Sequence, residues 1–218
     1  MAGTHSAAMR FLANLDSDWA NLIAHAGRCT LQAQTEREPY EALVRAVAHQ
    51  QLHGKAAEAI LQRLLALFPR KSFPDPQQLL AMSNAALRSC GFSAAKINAI
   101  RGIAQGALNG QVPTLAEAQL LDDETLIRQL VELRGVGRWT VEMLLIFSLG
   151  RPDVLPVDDF GAREGWRILK SLPQQPKPRA LAEIGLNFRP HRSTAAWYLW
   201  RASEISKNLT KNNASPVT

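Results

Sequence analysis

Apolar residues recur along most of this 218-residue chain at the three- and four-residue spacing of a buried helix face. Tyr40, Leu43, Val44 and Val47 form one such stripe, and a second stripe over residues 60–68 ends before Pro69. No segment alternates with a period of two over enough residues to indicate a sheet. The pattern therefore predicts an all-α fold.

Glycine and proline residues divide this pattern into separate helices. Helices are predicted near residues 76–88, 93–109, 115–120, 123–132, 138–149, 159–170 and 191–206. We expect two helical subdomains with an active-site cleft between them. One is continuous over residues 39–151 and ends in a helix–turn–helix, and the other combines residues 1–38 and 152–207. The polar tail 208–218 lacks periodicity and is expected to be disordered.

Composition narrows the classes of partner and location. A net charge of +6 and a pI near 9.7 favour a polyanionic partner. No apolar run reaches the ~20 residues that a membrane span needs, and the first residues lack a signal-peptide pattern. We therefore expect a cytoplasmic protein if the source is bacterial and a nuclear one if it is eukaryotic. Two cysteines, Cys29 and Cys90, cannot form a zinc or iron–sulfur site by themselves and are expected to be free core residues.

The segment "LRGVGRWT" places Gly135 and Gly137 one residue apart at a helix–helix junction. Glycine leaves backbone N–H groups uncovered, and the following helix directs its positive dipole end out of the turn. That arrangement suits one phosphate, with Arg138 beside it. The alternative is a plain helical hairpin whose glycines only cap helices. In both cases Leu133 and Val136 would anchor the turn.

Two aspartates, Asp158 and Asp159, follow about twenty residues later in "LPVDDF". Asp159 stands at the predicted start of a helix, where the dipole keeps a carboxylate ionised. Taken alone, an aspartate before a helix is most often an N-cap, which is all that Asp122 and Asp123 indicate.

Three segments together resemble a known family. They are "LRGVGRWTVEMLL", "LPVDDFGAREGWRIL" and "RPHRSTAAWYLWR", and the resemblance covers roughly residues 40–201. The chain resembles the helix-hairpin-helix DNA glycosylases, and within them the alkylated-base type of 3-methyladenine DNA glycosylase II. The resemblance implies base flipping in double-stranded DNA and hydrolysis of the N-glycosidic bond of alkylated purines such as 3-methyladenine and 7-methylguanine. It also implies that Asp159, rather than its neighbour Asp158, is the catalytic carboxylate.

The same resemblance implies roles for further residues. Trp200, Trp139 and Met143 would line the pocket for the cationic base, although Trp197 and Trp200 share a helix face and at least one should be packing. Gln51, Leu52 and His53 would fill the gap left by the flipped base, or else form a polar loop with Leu52 buried. DNA contacts would come from Gly135, Val136, Gly137, Arg138, Thr140, Lys55, Arg192 and Ser193. Arg192 could instead pair with a carboxylate in a buried helix. Backbone carbonyls of Val131, Leu133 and Val136 would hold a structural Na⁺ or K⁺.

Departures from other branches of the superfamily define the expected chemistry. Members that also cleave the strand carry a lysine two residues after the second hairpin glycine, where this chain has Trp139. Members with an iron–sulfur cluster carry four cysteines near the C-terminus, which this chain lacks. We therefore expect a monofunctional, monomeric base-excision-repair glycosylase that needs no cofactor. The alternatives are a non-catalytic DNA-binding hairpin module, and a glycosylase for a deaminated or oxidised base.

Overall fold

The computed structural model describes residues 2–52, 54–69 and 73–213. Over that part of the chain the protein is helical and contains no β-strand, so the all-α prediction is confirmed. The chain divides into two compact units, Ala33–Gly150 and Met1–Gln32 with Arg151–Thr218. The first boundary therefore lies at residue 33 rather than at 39.

The unit Ala33–Gly150 is built around one buried helix. Its helices are α3 (Pro39–His49), α4 (Gly54–Ala66), α5 (Pro76–Ala81), α6 (Asn84–Ser89), α7 (Ala94–Leu108), α8 (Leu115–Leu120), α9 (Asp123–Leu130) and α10 (Arg138–Phe147). Helix α3 contacts α4, α7 and α10, and its Leu43, Val44 and Val47 are fully buried. The apolar stripe read from the sequence is thus the face of α3 that forms this core.

The other unit packs its helices around α13. Its elements are α1 (Ala2–Ala13), α2 (Ser17–Ala26), α11 (Phe160–Leu169), α12 (Pro178–Ile184), a 3₁₀ turn (Gly185–Phe188) and α13 (Arg192–Asn213). Helix α13 contacts α1, α2 and α11. Trp19 and Trp166 belong to the core, and the Trp19 and Phe188 rings meet edge to face with centroids 5.2 Å apart.

Two predicted elements differ from the structure. The helix expected over 76–88 is interrupted, because Met82 is extended and the hydroxyl of Ser83 caps a new helix by accepting the amide of Ala86 at 3.1 Å. Helix α13 continues to Asn213, so the expected disorder is wrong for residues 208–213, and residues 214–218 lie outside the described residues. No helix in the described ranges is both long and apolar enough to cross a membrane.

Candidate functional site

The glycine turn between α9 and α10 is packed tightly against α7. Gly135 has φ +84°, the left-handed conformation that favours glycine. A β-carbon at Gly135 would lie 2.6 Å from the β-carbon of Ala99 on α7, well inside van der Waals contact. Leu133 and Val136 are buried, and the Val136 amide donates to the Leu133 carbonyl at 3.0 Å. These two side chains anchor the turn, and Gly135 is the residue that its packing allows.

The first turn of α10 is open beside Gly137. Gly137 is the N-cap residue, and no described side chain caps the helix. A β-carbon at Gly137 would meet no atom within 4 Å. Because a helix start presents backbone N–H groups and the positive end of the dipole, this end of α10 suits an anion. The geometry agrees with the phosphate interpretation of the turn.

Arg138, expected beside the phosphate, contacts two carboxylates within the protein. Its guanidinium makes a two-pronged contact with Glu124, with Nη1 3.1 Å from Oε2 and Nη2 on Oε1. Its Nε lies 3.1 Å from Oε1 of the buried Glu142. Hydrogen bonding to Glu124 raises the pKa of Arg138 above its usual value. Arg134, one residue before Gly135, is exposed and makes no hydrogen bond or ion pair with the residues that the structure describes.

Thr140 also has an internal partner. Its side chain is 1% exposed, and its hydroxyl accepts the Gln50 Nε2 amide at 2.9 Å. The same amide group donates to the Gly135 carbonyl at 3.1 Å. The Thr140 hydroxyl therefore has a partner within the protein, and its contact with DNA stays a prediction. Gln50, which the sequence did not single out, ties the loop after α3 to the glycine turn.

The loop that follows α3 projects the side chains expected to act as a wedge. Gln51 has φ +55°, a left-handed conformation that is uncommon for a residue with a side chain. Leu52 is 41% exposed, so the alternative of a buried Leu52 is wrong. Lys55 on α4 is exposed, and His53 lies outside the described residues. Exposed Gln51 and Leu52 thus have the access that the wedge role requires.

The carbonyls proposed to hold a monovalent cation belong to the end of α9 and to the turn. Val131 is the C-cap residue of α9, and the Leu133 carbonyl already accepts the amide of Val136. The C-terminal end of a helix carries the negative end of its dipole, which favours a cation. Uncharged oxygen donors at such a position fit a monovalent ion in chemical type.

Asp159 is the N-cap residue of α11 and receives two hydrogen bonds on one oxygen. Its Oδ1 accepts the Ala162 amide at 2.7 Å and the indole Nε1–H of Trp200, on α13, at 2.8 Å. Asp159 and Trp200 are both half-buried, while Asp158 is exposed. Asp159 therefore caps a helix, and its carboxylate also contacts the indole of Trp200.

The other aromatic candidates fall into two groups. Trp139 and Met143 are half-buried and lie four residues apart on one face of α10. Trp197 is 8% exposed and packs edge to face on Tyr198, with centroids 4.8 Å apart. Trp197 is therefore the packing member of the α13 pair, and Trp200 is the member that contacts a carboxylate.

Arg192 and Ser193, expected to contact DNA, are engaged at the start of α13. Arg192 binds Asp153 with two hydrogen bonds, Nε to Oδ1 at 2.7 Å and Nη2 to Oδ2 at 3.0 Å. Burial alone would raise the pKa of Asp153, but hydrogen bonding and charge from Arg192, with a contribution from Arg189, lower it. Ser193 is 2% exposed and its hydroxyl donates to the Arg151 carbonyl at 2.6 Å. Arg192 thus pairs with a carboxylate, as the alternative interpretation expected, and the contacts of Arg192 and Ser193 with DNA stay predictions.

Comparison with known proteins places this arrangement in a family. Residues 44–190 match the model of the HhH-GPD superfamily of base excision DNA repair proteins. The chain belongs to this superfamily. It is 44% identical over 196 residues to DNA-3-methyladenine glycosylase 1 of Schizosaccharomyces pombe, covering 89% of this chain and 86% of the relative.

Solved structures of HhH-GPD relatives share the fold closely. The 3-methyladenine DNA glycosylase of the same yeast, in complex with abasic DNA, matches with a TM-score of 0.86 and 44% identity, covering 90% of this chain and 96% of that one. A DNA-3-methyladenine glycosidase of Bacillus halodurans matches with a TM-score of 0.75 and 32% identity, covering 92% and 91% of the two chains. The family resemblance read from the hairpin and the aspartate pair is confirmed.

Proposed function

We propose that the protein is a monofunctional DNA glycosylase that hydrolyses the N-glycosidic bond of alkylated purines in double-stranded DNA. The observation that carries this proposal is the contact between Asp159 and Trp200, in which a fixed carboxylate lies against an aromatic ring. The names of the relatives, at 44% and 32% identity, support the alkylated-base class.

Asp159 and Trp200 suit the two positively charged groups of the reaction, the sugar in the transition state and the alkylated base. Cleavage of an N-glycosidic bond passes through an oxocarbenium-like sugar, which the carboxylate of Asp159 stabilises while it orients the attacking water. A purine alkylated on a ring nitrogen carries positive charge and is attracted to aromatic faces such as that of Trp200. The indole of Trp139 cannot form an imine with the sugar, so the product is an intact abasic site.

The unit Ala33–Gly150 supplies the DNA contacts. The amides at the start of α10 bind one phosphate, and Arg134 adds an exposed cation beside them. Gln51 and Leu52 enter the minor groove where the base has left the stack. The carbonyls of Val131, Leu133 and Val136 would hold a monovalent cation, which would supply positive charge for binding the DNA backbone.

The test is release of free 3-methyladenine from methylated duplex DNA, with Asp159→Asn beside the unmodified protein. Asparagine caps helices as well as aspartate does, so the variant keeps the hydrogen bond to Ala162 and removes only the charge. Asp122→Asn is a matched control, because the Asp122 Oδ1 caps α9 by accepting the Thr125 amide at 2.9 Å. We expect release by the unmodified protein and by Asp122→Asn, and its loss in Asp159→Asn with DNA binding retained.

The other outcomes discriminate between the rival functions. DNA binding without release of any base would indicate the non-catalytic hairpin module. Release of a deaminated or oxidised base instead of 3-methyladenine would move the proposal to another lesion class. Covalent trapping on DNA by borohydride would indicate a lyase and would contradict the role inferred from Trp139.

A further inference from the structure

Helices α11 and α13 cross at two glycines that lie one turn apart on α11. A β-carbon at Gly165 would lie 1.9 Å from the carbonyl oxygen of Leu199, so the two backbones are in direct contact there. A β-carbon at Gly161 would lie 3.0 Å from Cδ1 of Trp200 and 3.1 Å from Oδ1 of Asp159. The missing side chain of Gly161 therefore leaves the space in which the indole meets the carboxylate.

The contact made in this space fixes the orientation of the carboxylate. The Asp159 Oδ1 accepts one hydrogen bond from its own helix, through the Ala162 amide at 2.7 Å, and one from α13, through Trp200 at 2.8 Å. Two donors on different helices hold this one oxygen in place. Loss of either donor would remove one of the two hydrogen bonds that orient this oxygen.

We propose that Gly161 and Trp200 are positioning residues for the Asp159 carboxylate: the indole N–H of Trp200 orients it, and the absence of a side chain at Gly161 permits that contact. This inference rests on the proposed function and extends it, because it gives Trp200 a role separate from stacking on the base. Electrostatic stabilisation of a transition state depends on groups that are already in place, so a small displacement reduces the rate rather than the affinity for DNA.

Two substitutions separate these roles. Trp200→Phe keeps an aromatic face and removes the N–H, and we expect the single-turnover rate of base release to fall about 10- to 100-fold, the equivalent of one hydrogen bond to a charged group. Gly161→Ala adds one methyl group in a helix and should slow release about 3- to 10-fold, because its neighbours must shift by tenths of an ångström. The affinity for abasic-site DNA should stay within about twofold in both variants.

The combined variant and a control sharpen this test. Once the indole N–H is absent, the added methyl group has no contact to disturb, so Gly161→Ala should slow Trp200→Phe by less than it slows the unmodified protein. Gly102→Ala is the control, because Gly102 lies within α7 and a β-carbon there meets no atom within 4 Å. Release at the unmodified rate in Trp200→Phe, or multiplicative effects in the double variant, would overturn the proposal.

A second measurement does not depend on turnover. The ¹H–¹⁵N indole resonance of Trp200 is the one that disappears in Trp200→Phe. We expect this resonance to move in Asp159→Asn and in Gly161→Ala, and to stay in place in Gly102→Ala. If the Trp200 resonance moves in neither Asp159→Asn nor Gly161→Ala, the positioning roles are refuted even if the protein releases 3-methyladenine. Absence of base release from the unmodified protein would refute the proposed function itself, whatever the resonance does.

Discussion

Gly135→Ala should destabilise the hairpin through two separable effects. The residue has φ +84°, and a left-handed conformation costs an L-residue about 1–2 kcal/mol. Its new β-carbon would also lie 2.6 Å from the β-carbon of Ala99, and overpacking of this kind costs about 1–3 kcal/mol. We therefore expect the free energy of unfolding to fall by about 2–5 kcal/mol.

The second effect can be removed without touching the first. In an Ala99→Gly background, the nearest atom to the new β-carbon is Cα of residue 99 at 3.5 Å, an ordinary contact. Ala99→Gly alone should cost about 1–2 kcal/mol, from helix propensity and one lost buried methyl group. The double variant should therefore be more stable than the sum of the single effects by about 1–3 kcal/mol.

Urea unfolding followed by circular dichroism measures these free energies for the four proteins. The affinity for duplex DNA should follow the same pattern: it should fall in Gly135→Ala and recover in part when Ala99→Gly is added. The recovery is expected because Ala99→Gly removes the clash and lets the turn pack against α7 again. Strictly additive free energies would refute the reasoning, since they would show that the turn does not rest on Ala99.

Three further outcomes follow from the contacts described above. Arg134→Ala should leave stability unchanged and reduce the salt dependence of DNA binding by about one counterion. Arg138→Ala should lower the free energy of unfolding by about 1–3 kcal/mol, because it removes one partner of the buried Glu142 carboxylate. Gly165→Ala should lower the free energy of unfolding, measured in urea, by at least about 3 kcal/mol, while Gly102→Ala should raise it by about 0.5–1 kcal/mol. Because the pKa of Asp153 is lowered, its contribution to stability is present above about pH 4 and disappears as the pH falls further, so Asp153→Asn should flatten the decline of the urea midpoint with acidification.

Local signals in the sequence located most of the helices and, together with the family resemblance, the catalytic candidate. The spacing of Leu43, Val44 and Val47 defines a core face because a helix repeats every 3.6 residues, and this holds wherever the helix packs. Asp159 could be named as a candidate because the family resemblance rests on short motifs, among them an aspartate at a helix start about twenty residues after a glycine turn. Short-range geometry decides both features.

The sequence did not predict the partners of several polar side chains, because contacts between distant segments determine them. Arg138 stands next to the turn in sequence, but Glu124 is fourteen positions earlier and competes for the same guanidinium. Arg192 binds Asp153, which lies thirty-nine residues earlier in the sequence. Gln50 donates to Thr140, ninety residues later. Charge and hydrogen-bonding capacity are visible in a sequence, but the choice of partner depends on packing.

Both candidate sites depend on residues that have little or no side chain. The small side chain of Ala99 on α7 allows the turn at Gly135 to pack so closely that an added methyl group at residue 135 would clash with it. In the same way, Gly161 allows the indole of Trp200 to lie close to Asp159. Small residues bury little area in a core, so their contribution here is that they allow other groups to approach one another closely. This accounts for the different results expected from similar substitutions. Where the contact is backbone, as at Gly165, an added methyl group should cost stability, and where it is a functional side chain, as at Gly161, it should cost rate.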